Sequence, residues 1–222
     1  MVYLDSLDIF GYEALSRGPQ KSYFEDSETL FSFAERTEML MELERLCCRK
    51  ALSSAIGLQS EARLFLNTSA KALSDPELQA GKLKQIASEV GLKSQNIVLE
   101  ITERVAIEKK EIFQKVLWAM KEQGFSLAID DMGASYASLQ TIAEVEPEFL
   151  KFDISLVRGI DKSLIKRELL EMLIILAEKI KAFIIAEGVE TEAEFKTLKE
   201  LGVTLGQGYY LGPPAKNLPS SS

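Results

Sequence analysis

Short apolar runs recur along this chain, and each ends in a carboxylate, an amide or a lysine. Leu64-Phe65-Leu66 runs into Asn67, Ile97-Val98-Leu99 into Glu100, and Leu127-Ala128-Ile129 into Asp130-Asp131. Phe149-Leu150 meets Lys151, Phe183-Ile184-Ile185-Ala186 meets Glu187, and Val203-Thr204-Leu205-Gly206 meets Gln207. An alternating run, Asp8-Ile9-Phe10-Gly11-Tyr12, leads into Glu13 ahead of them all. These runs read as buried strands. A polar group at the end of every strand points to strands whose C-terminal ends converge on one polar centre, as on the top face of a barrel.

Helical patterning fills the spaces between the runs. Glu28–Ala55 reads as mostly helical with a break near Arg36-Thr37. Asp75–Val90 carries Ser74 as N-cap with Glu77 three residues on, a capping box, and Pro76 fits its first turn. Glu108–Gln123 places Ile112, Val116, Leu117 and Met120 on one face, and Trp118 of the same helix is assigned to core packing rather than an interface. Ser163–Ile180 follows, then Glu192–Leu201, opened by Thr191 with Glu194. Gly57, Gly91, Gly124 and Gly202 each sit between a helix and a strand, where a left-handed C-cap belongs. Strands and helices alternate at about 25–35 residues, the rhythm of βα units. With Val2–Leu4 and Asp8–Leu15 counted as a hairpin, the chain predicts an α/β fold of eight strands in one domain.

Composition fits this picture and narrows the chemistry. A chain of 222 residues with 46% apolar content suits one large α/β domain with a real core. No apolar stretch approaches about 20 residues, and Met1–Asp5 lacks a secretory pattern, so a soluble cytoplasmic chain is expected. Cys47 and Cys48 are adjacent in a helix and read as free thiols. The chain has no histidine. That excludes Ser-His-Asp and Cys-His catalysis and imidazole-ligated zinc, and any metal must be a hard cation held by oxygen. A net charge of −8 argues against binding a nucleic-acid polymer.

Taken singly, a glutamate at a strand end caps a helix or faces solvent, Asp130-Asp131 caps a turn, and Lys151 is a surface lysine. Taken together, Glu13, Glu100, Asp130, Asp131 and Glu187 with Asn67 would repel one another severely if they pointed inward unpaired. One divalent cation does not neutralise five carboxylates, whereas two come close. Metal pairs about 3.5–4 Å apart are standard machinery for cleaving phosphate esters. Lys151 is then placed to orient a water or to stabilise charge developing on the phosphate. A carboxylate- and Mg²⁺-using barrel lyase or isomerase fits the composition as well.

Gly11-Tyr12-Glu13-Ala14-Leu15-Ser16-Arg17 resembles the signature of the EAL domain, the bacterial phosphodiesterase of cyclic di-GMP. The resemblance runs on through Leu66-Asn67-Thr68-Ser69, Leu99-Glu100-Ile101-Thr102-Glu103, Ile129-Asp130-Asp131-Met132-Gly133 and Leu150-Lys151-Phe152-Asp153. It closes with Ala186-Glu187-Gly188-Val189-Glu190-Thr191 and Gln207-Gly208-Tyr209, covering essentially the whole chain in order. It implies a (β/α)8 TIM-like barrel with an antiparallel first strand over residues 1–217, its leading helix cut short, followed by a disordered tail at 218–222. The implied reaction is hydrolysis of cyclic di-GMP to linear pGpG with two Mg²⁺ or Mn²⁺ ions, Ca²⁺ being inhibitory. By motif, Glu13, Asn67, Glu100 and Asp130 would hold the first metal, Asp130 and Asp131 the second, and Glu187 would be a ligand or the general base. Lys151 would hold the attacking water; Leu15, Arg17, Asp153 and Gln207 would place the substrate; Glu103 and Glu190 would support the loop after Asp131. A homodimer and an upstream sensory domain are implied too.

The loop from Asp130 to Leu139 departs from the family's usual Asp-Asp-Phe-Gly-Thr-Gly-Tyr-Ser-Ser-Leu. Ala134 lacks a hydroxyl that would tether it, and Ser135 lacks the freedom of glycine at positive φ. A module that binds cyclic di-GMP with little or no cleavage is therefore the alternative reading.

Overall fold

The structure is a computed structural model and describes residues 1–73, 75–102, 110–133 and 138–218. Strand β1 (Val2–Tyr3) leads to β2 (Gly11–Glu13), α1 (Ser27–Arg36), α2 (Leu40–Ser54), β3 (Arg63–Asn67), α3 (Ala70–Leu73) and α4 (Ala80–Glu89). There follow β4 (Ile97–Thr102), α5 (Lys110–Glu122), β5 (Ser126–Met132), α6 (Ser138–Val145), β6 (Phe149–Phe152) and α7 (Ile154–Val157). The chain continues through α8 (Leu164–Ile180), β7 (Phe183–Ala186), α9 (Glu192–Glu200) and β8 (Leu205–Gly206).

The eight strands form one sheet in the order β1-β8-β7-β6-β5-β4-β3-β2. From β2 to β8 each neighbouring pair is parallel, whereas β1 runs antiparallel to β8. The reversal follows from chain length. A parallel pair needs a crossover of a dozen residues or more, and only a tight turn separates β1 from β2. In that turn Leu7 N donates to Tyr3 O at 2.9 Å and Tyr3 N to Asp8 O at 3.0 Å. Val2 bridges Ile9, and Phe10 N donates to Met1 O at 3.1 Å, which draws β1 across to β2 and nearly closes the sheet. The expected (β/α)8 barrel with an antiparallel first strand is the fold.

Alternation along the strands separates two apolar layers. Phe65, Val98, Ala128, Phe149, Ile185 and Leu205 point inward and fill the barrel, with Phe10 packed against them. Their neighbours, among them Leu64, Leu66, Leu99, Ile129, Leu150 and Ile184, point outward into the larger core beneath the helices. The break near Arg36-Thr37 is real, since α1 ends at Arg36 and α2 starts at Leu40. Gly57, Gly91, Gly124 and Gly202 take positive φ at their helix-to-strand turns, as expected.

Three expectations need correction. The helix expected over Asp75–Val90 starts only at Ala80. Asp75 instead makes a turn, accepting from Glu77 N at 2.7 Å and pairing with Arg45 at 2.6 Å; Ser74 lies outside the described residues. Trp118 is 67% exposed and does not pack in the core. Leu117 and Met120 take the inward face of α5, and a residue next to Leu117 is turned about 100° away. Finally, α6 and α7 were not anticipated, although Ile142 and Val145 bury at helical spacing.

One side chain gathers several N–H groups of the loop after β7 and of its neighbour. Glu194 accepts from Gly159 N at 2.8 Å, Glu190 N at 3.1 Å and Thr191 N at 3.0 Å, while Thr191 caps α9 in return. Burial pushes the Glu194 carboxyl up, but those N–H donors outweigh it and hold it below its ordinary value. Its stabilisation is complete above the ordinary carboxylate pKa and is lost as pH falls through the lowered one. Glu194→Ala should therefore cost about 2 kcal/mol at pH 7, the penalty for stranding buried N–H groups. Urea titrations should show the gap to the parent chain closing below about pH 4.

Candidate active site

Period-two alternation carries each inward apolar residue to a polar one two positions later. Phe65 leads to Asn67, Val98 to Glu100, Ala128 to Asp130, Phe149 to Lys151, Ile185 to Glu187 and Leu205 to Gln207. Gly11 leads likewise to Glu13 on β2. The apolar layer fills the barrel, and the polar ring sits directly above it at the C-terminal strand ends.

At the centre of the ring is Lys151, 1% exposed. Its Nζ lies 2.6 Å from Glu100, 2.9 Å from Asp130, 2.9 Å from Glu187 and 3.6 Å from Glu13. The surface reading of this lysine is thereby excluded. Amide donors complete the ring. Asn67 Nδ2 donates to Glu13 Oε1 at 3.0 Å; Gln207 Nε2 donates to Glu13 Oε2 at 2.9 Å and to Glu187 Oε1 at 2.7 Å. Gln207, just past β8, thus ties together the acids at the ends of β2 and β7. Its assigned role from the motif was substrate placement, but the alternation Leu205→Gln207 already marked it as a member of the ring.

The charges explain the protonation landscape. Burial would lower the Lys151 ammonium, yet Glu100, Glu187, Glu13 and Asp130 together hold it well above its ordinary value. Burial pushes Glu100 far up, with Lys151 countering. Burial also lifts Glu187 to about 7, opposed by Lys151 and reinforced by Asp130. Glu13 goes the other way: burial pushes it up, but Lys151, Gln207 and Asn67 bring it below the ordinary range. Oε2 of Glu100 is buried without a hydrogen-bond donor, whereas Lys151 serves its Oε1. Five acids against one lysine leave −4 when all are ionised, and two divalent cations would balance that.

Asp131 is placed by a local irregularity. The β5–β6 register shifts between Ile129 and Met132, and Asp131 takes φ +58. A left-handed non-glycine residue at a bulge is an uncommon, strained conformation that re-aims side chains. Here Asp130 stays in the ring, Met132 returns to the core, and Asp131 remains beside the site. Burial raises its carboxyl, followed by the charges of Asp130 and Asp153. Asp130, Asp131 and Glu187 each offer an oxygen, all within 4.8 Å of one another, a donor set suited to a hard cation. Past Glu187 the chain must turn sharply. Gly188 has φ +65, and a Cβ there would meet Ile154 at 2.4 Å.

The remaining motif residues lie around this centre. Leu15 follows β2 and is 46% exposed; Arg17 is exposed and donates to Ser16 O at 2.8 Å. Asp153 caps α7 by accepting from Ser155 N at 2.8 Å. Glu190 pairs with Arg158. Glu103 and the altered segment 134–137 lie outside the described residues, as does 219–222 of the expected tail. Both cysteines are free; burial pushes the Cys48 thiol up to about 12. Among the described residues no helix is long and apolar enough to cross a membrane.

Comparison with known proteins agrees with this architecture. The family model for the EAL domain matches residues 1–214. The cyclic di-GMP phosphodiesterase PdeR of Escherichia coli K12 is 27% identical over 186 residues, which is 82% of this chain and 28% of that protein. A standalone versatile EAL protein from Vibrio cholerae O395, solved with c-di-GMP bound, has TM-score 0.85 at 31% identity, covering 99% of this chain and 91% of that one. The EAL enzyme Bd1971, solved with cAMP and cyclic di-GMP, has TM-score 0.88 at 27% identity, covering 96% of this chain and 60% of that one. The chain spans about a quarter to a third of the curated relatives it matches (29%, 24% and 36% of the first three).

Lys151→Met should destabilise the fold by about 3–5 kcal/mol at pH 8, because the buried carboxylates lose the ammonium that stands among them. Urea midpoints should recover towards pH 5, as the acids take up protons and stop repelling one another. A variant as stable as the parent at pH 8 contradicts the ring as drawn.

Proposed function

We propose that this chain, which belongs to the EAL domain family, is a metal-dependent phosphodiesterase that opens cyclic di-GMP to linear pGpG. The carrying observation is the convergence of Glu13, Glu100, Asp130 and Glu187 on the buried Lys151, beside Asp131. The chain keeps every acid and amide expected of a cutting site at this end of the barrel, which supports hydrolysis over binding alone.

In this reading Glu13, Asn67, Glu100 and Asp130 hold one divalent ion, and Asp130, Asp131 and Glu187 a second, both Mg²⁺ or Mn²⁺. Bound there, the ions supply a lowered pKa for water and a counter-charge for the phosphate. Glu187, at the edge of this cluster, is the candidate to take a proton from the attacking water. The water oxygen bonds to phosphorus as the bond from phosphorus to one sugar oxygen breaks, and that oxygen takes a proton from solvent as it leaves. Lys151 stays charged and donates to the water or to a phosphoryl oxygen. Gln207 keeps Glu13 and Glu187 aimed at the centre. Leu15, Arg17 and Asp153, on the rim, place the dinucleotide.

Incubation with cyclic di-GMP and Mn²⁺, resolved by chromatography, should yield pGpG, and Glu13→Ala should yield none. Tight binding without product in the parent chain refutes the reading. Glu187→Gln should lower kcat by about 100-fold or more while the Kd for the dinucleotide holds; unchanged turnover removes Glu187 from its role. Ca²⁺ alone, larger and looser in geometry, should support binding but little cleavage.

A further inference from the structure

Behind the acid ring, on the helix-facing side of β2, β3 and β4, lies a half-open pocket of about 220 Å³. Protein cores rarely hold voids much larger than a water molecule. A dry apolar cavity of about 150 Å³ accepts benzene, so this one has room for more than a single ring. Ala14, Leu66 and Leu99 form its barrel side; Phe31 of α1, Ala51 of α2 and Met120 of α5 form its helical side.

Ser16, Asn67, Thr68 and Ser69 add hydroxyl and amide groups to the lining, and its one acid is on α2. Glu44, Cys47 and Cys48 sit at i, i+3 and i+4 of α2 and line the same space. Glu44 is 7% exposed and accepts from the backbone and hydroxyl of Ser69. The Cys48 thiol is kept protonated by burial and behaves as an apolar lining group. Glu44 is the one acidic side chain among these lining residues, so its carboxyl disfavours an anion and can accept from a donor.

The cavity also shares parts with the site. Ala14 directly follows Glu13, and Asn67, whose amide holds Glu13, is itself a wall residue. Ser69, held by Glu44, follows Asn67 by two residues. The strand ends concerned are anchored by Ala14 N to Phe65 O and Thr68 N to Glu100 O, both 3.0 Å.

We propose that this cavity is a regulatory binding site for a small uncharged aromatic molecule of one or two rings bearing a single N–H or O–H donor. The rings lie against Phe31, Leu66 and Leu99, the donor meets Glu44, and occupancy stiffens the β2 and β3 ends that carry Glu13 and Asn67. The inference stands on the cavity and does not need the hydrolytic reading.

Indole is the probe, used on the full chain, with benzoate as the anionic control. Indole should raise Tm with concentration and benzoate should not. The chain's two cysteines both line the cavity. With indole at about ten times its Kd, their alkylation by N-ethylmaleimide should slow about tenfold, since only the free fraction reacts. Ala51→Leu and Ala72→Met each fill the space; whichever keeps the parent's circular dichroism should lose both effects. Hydrogen exchange at Ala14 and Thr68 should slow with indole in the parent chain. No Tm rise, or a rise that persists in a folded filled variant, overturns the site. Unchanged exchange at those two amides overturns its action on the ring. A chain that binds indole in this way yet makes no pGpG fails the phosphodiesterase reading alone.

Discussion

A buried ammonium among four carboxylates is the interaction on which the rest of this structure depends. Like charges brought to one end of a barrel would drive the strands apart unless a cation stood among them. Lys151 supplies that cation within the protein's own chain, at 2.6–3.6 Å from every acid it faces. It can do so because β6 is buried on both faces and sits opposite β2, and because Phe149, two residues earlier, fills the barrel beneath it. The apolar layer excludes water from below and so strengthens the charge interactions above it. Fold and site are therefore one construction: the same alternation that packs the barrel lifts the polar ring to its rim.

Much of this was legible in the chain because strand periodicity is strict. An apolar run followed by one polar residue is a local signal, and repeating it at each strand end makes the convergence hard to escape. The missing histidine was equally plain, and it left oxygen as the donor. Other features depend on information the local pattern does not carry. The left-handed backbone at Asp131 belongs to a bulge fixed by its pairing with β6, so no residue preference announced it. The strand-end pattern marks Gln207 as a member of the ring, but nothing local announces that its amide joins Glu13 to Glu187, 194 and 20 residues away in sequence. The late start of α4 reflects competition, because Asp75 prefers Arg45 and Glu77 N to a place in the helix. Trp118 was misjudged because large aromatics usually bury, yet its position on α5 turns it outward.

The altered segment 134–137 lies outside the described residues, and most of the ring is held by strands remote from it in sequence. Glu13, Asn67, Glu100 and Lys151 are held by β2, β3, β4 and β6, and Asp130 by regular pairing with β4. Asp131 alone depends on the bulge that opens into the altered segment.

The central claim is that these strand-end acids together hold hard divalent cations against a phosphodiester. Crystals grown with cyclic di-GMP and Mn²⁺, measured for anomalous scattering at the manganese edge, test it most directly. The account predicts two peaks within about 4 Å of each other, ringed by Glu13, Asn67, Glu100, Asp130, Asp131 and Glu187, with one phosphate against them. A map with the dinucleotide bound and no manganese among those side chains contradicts it.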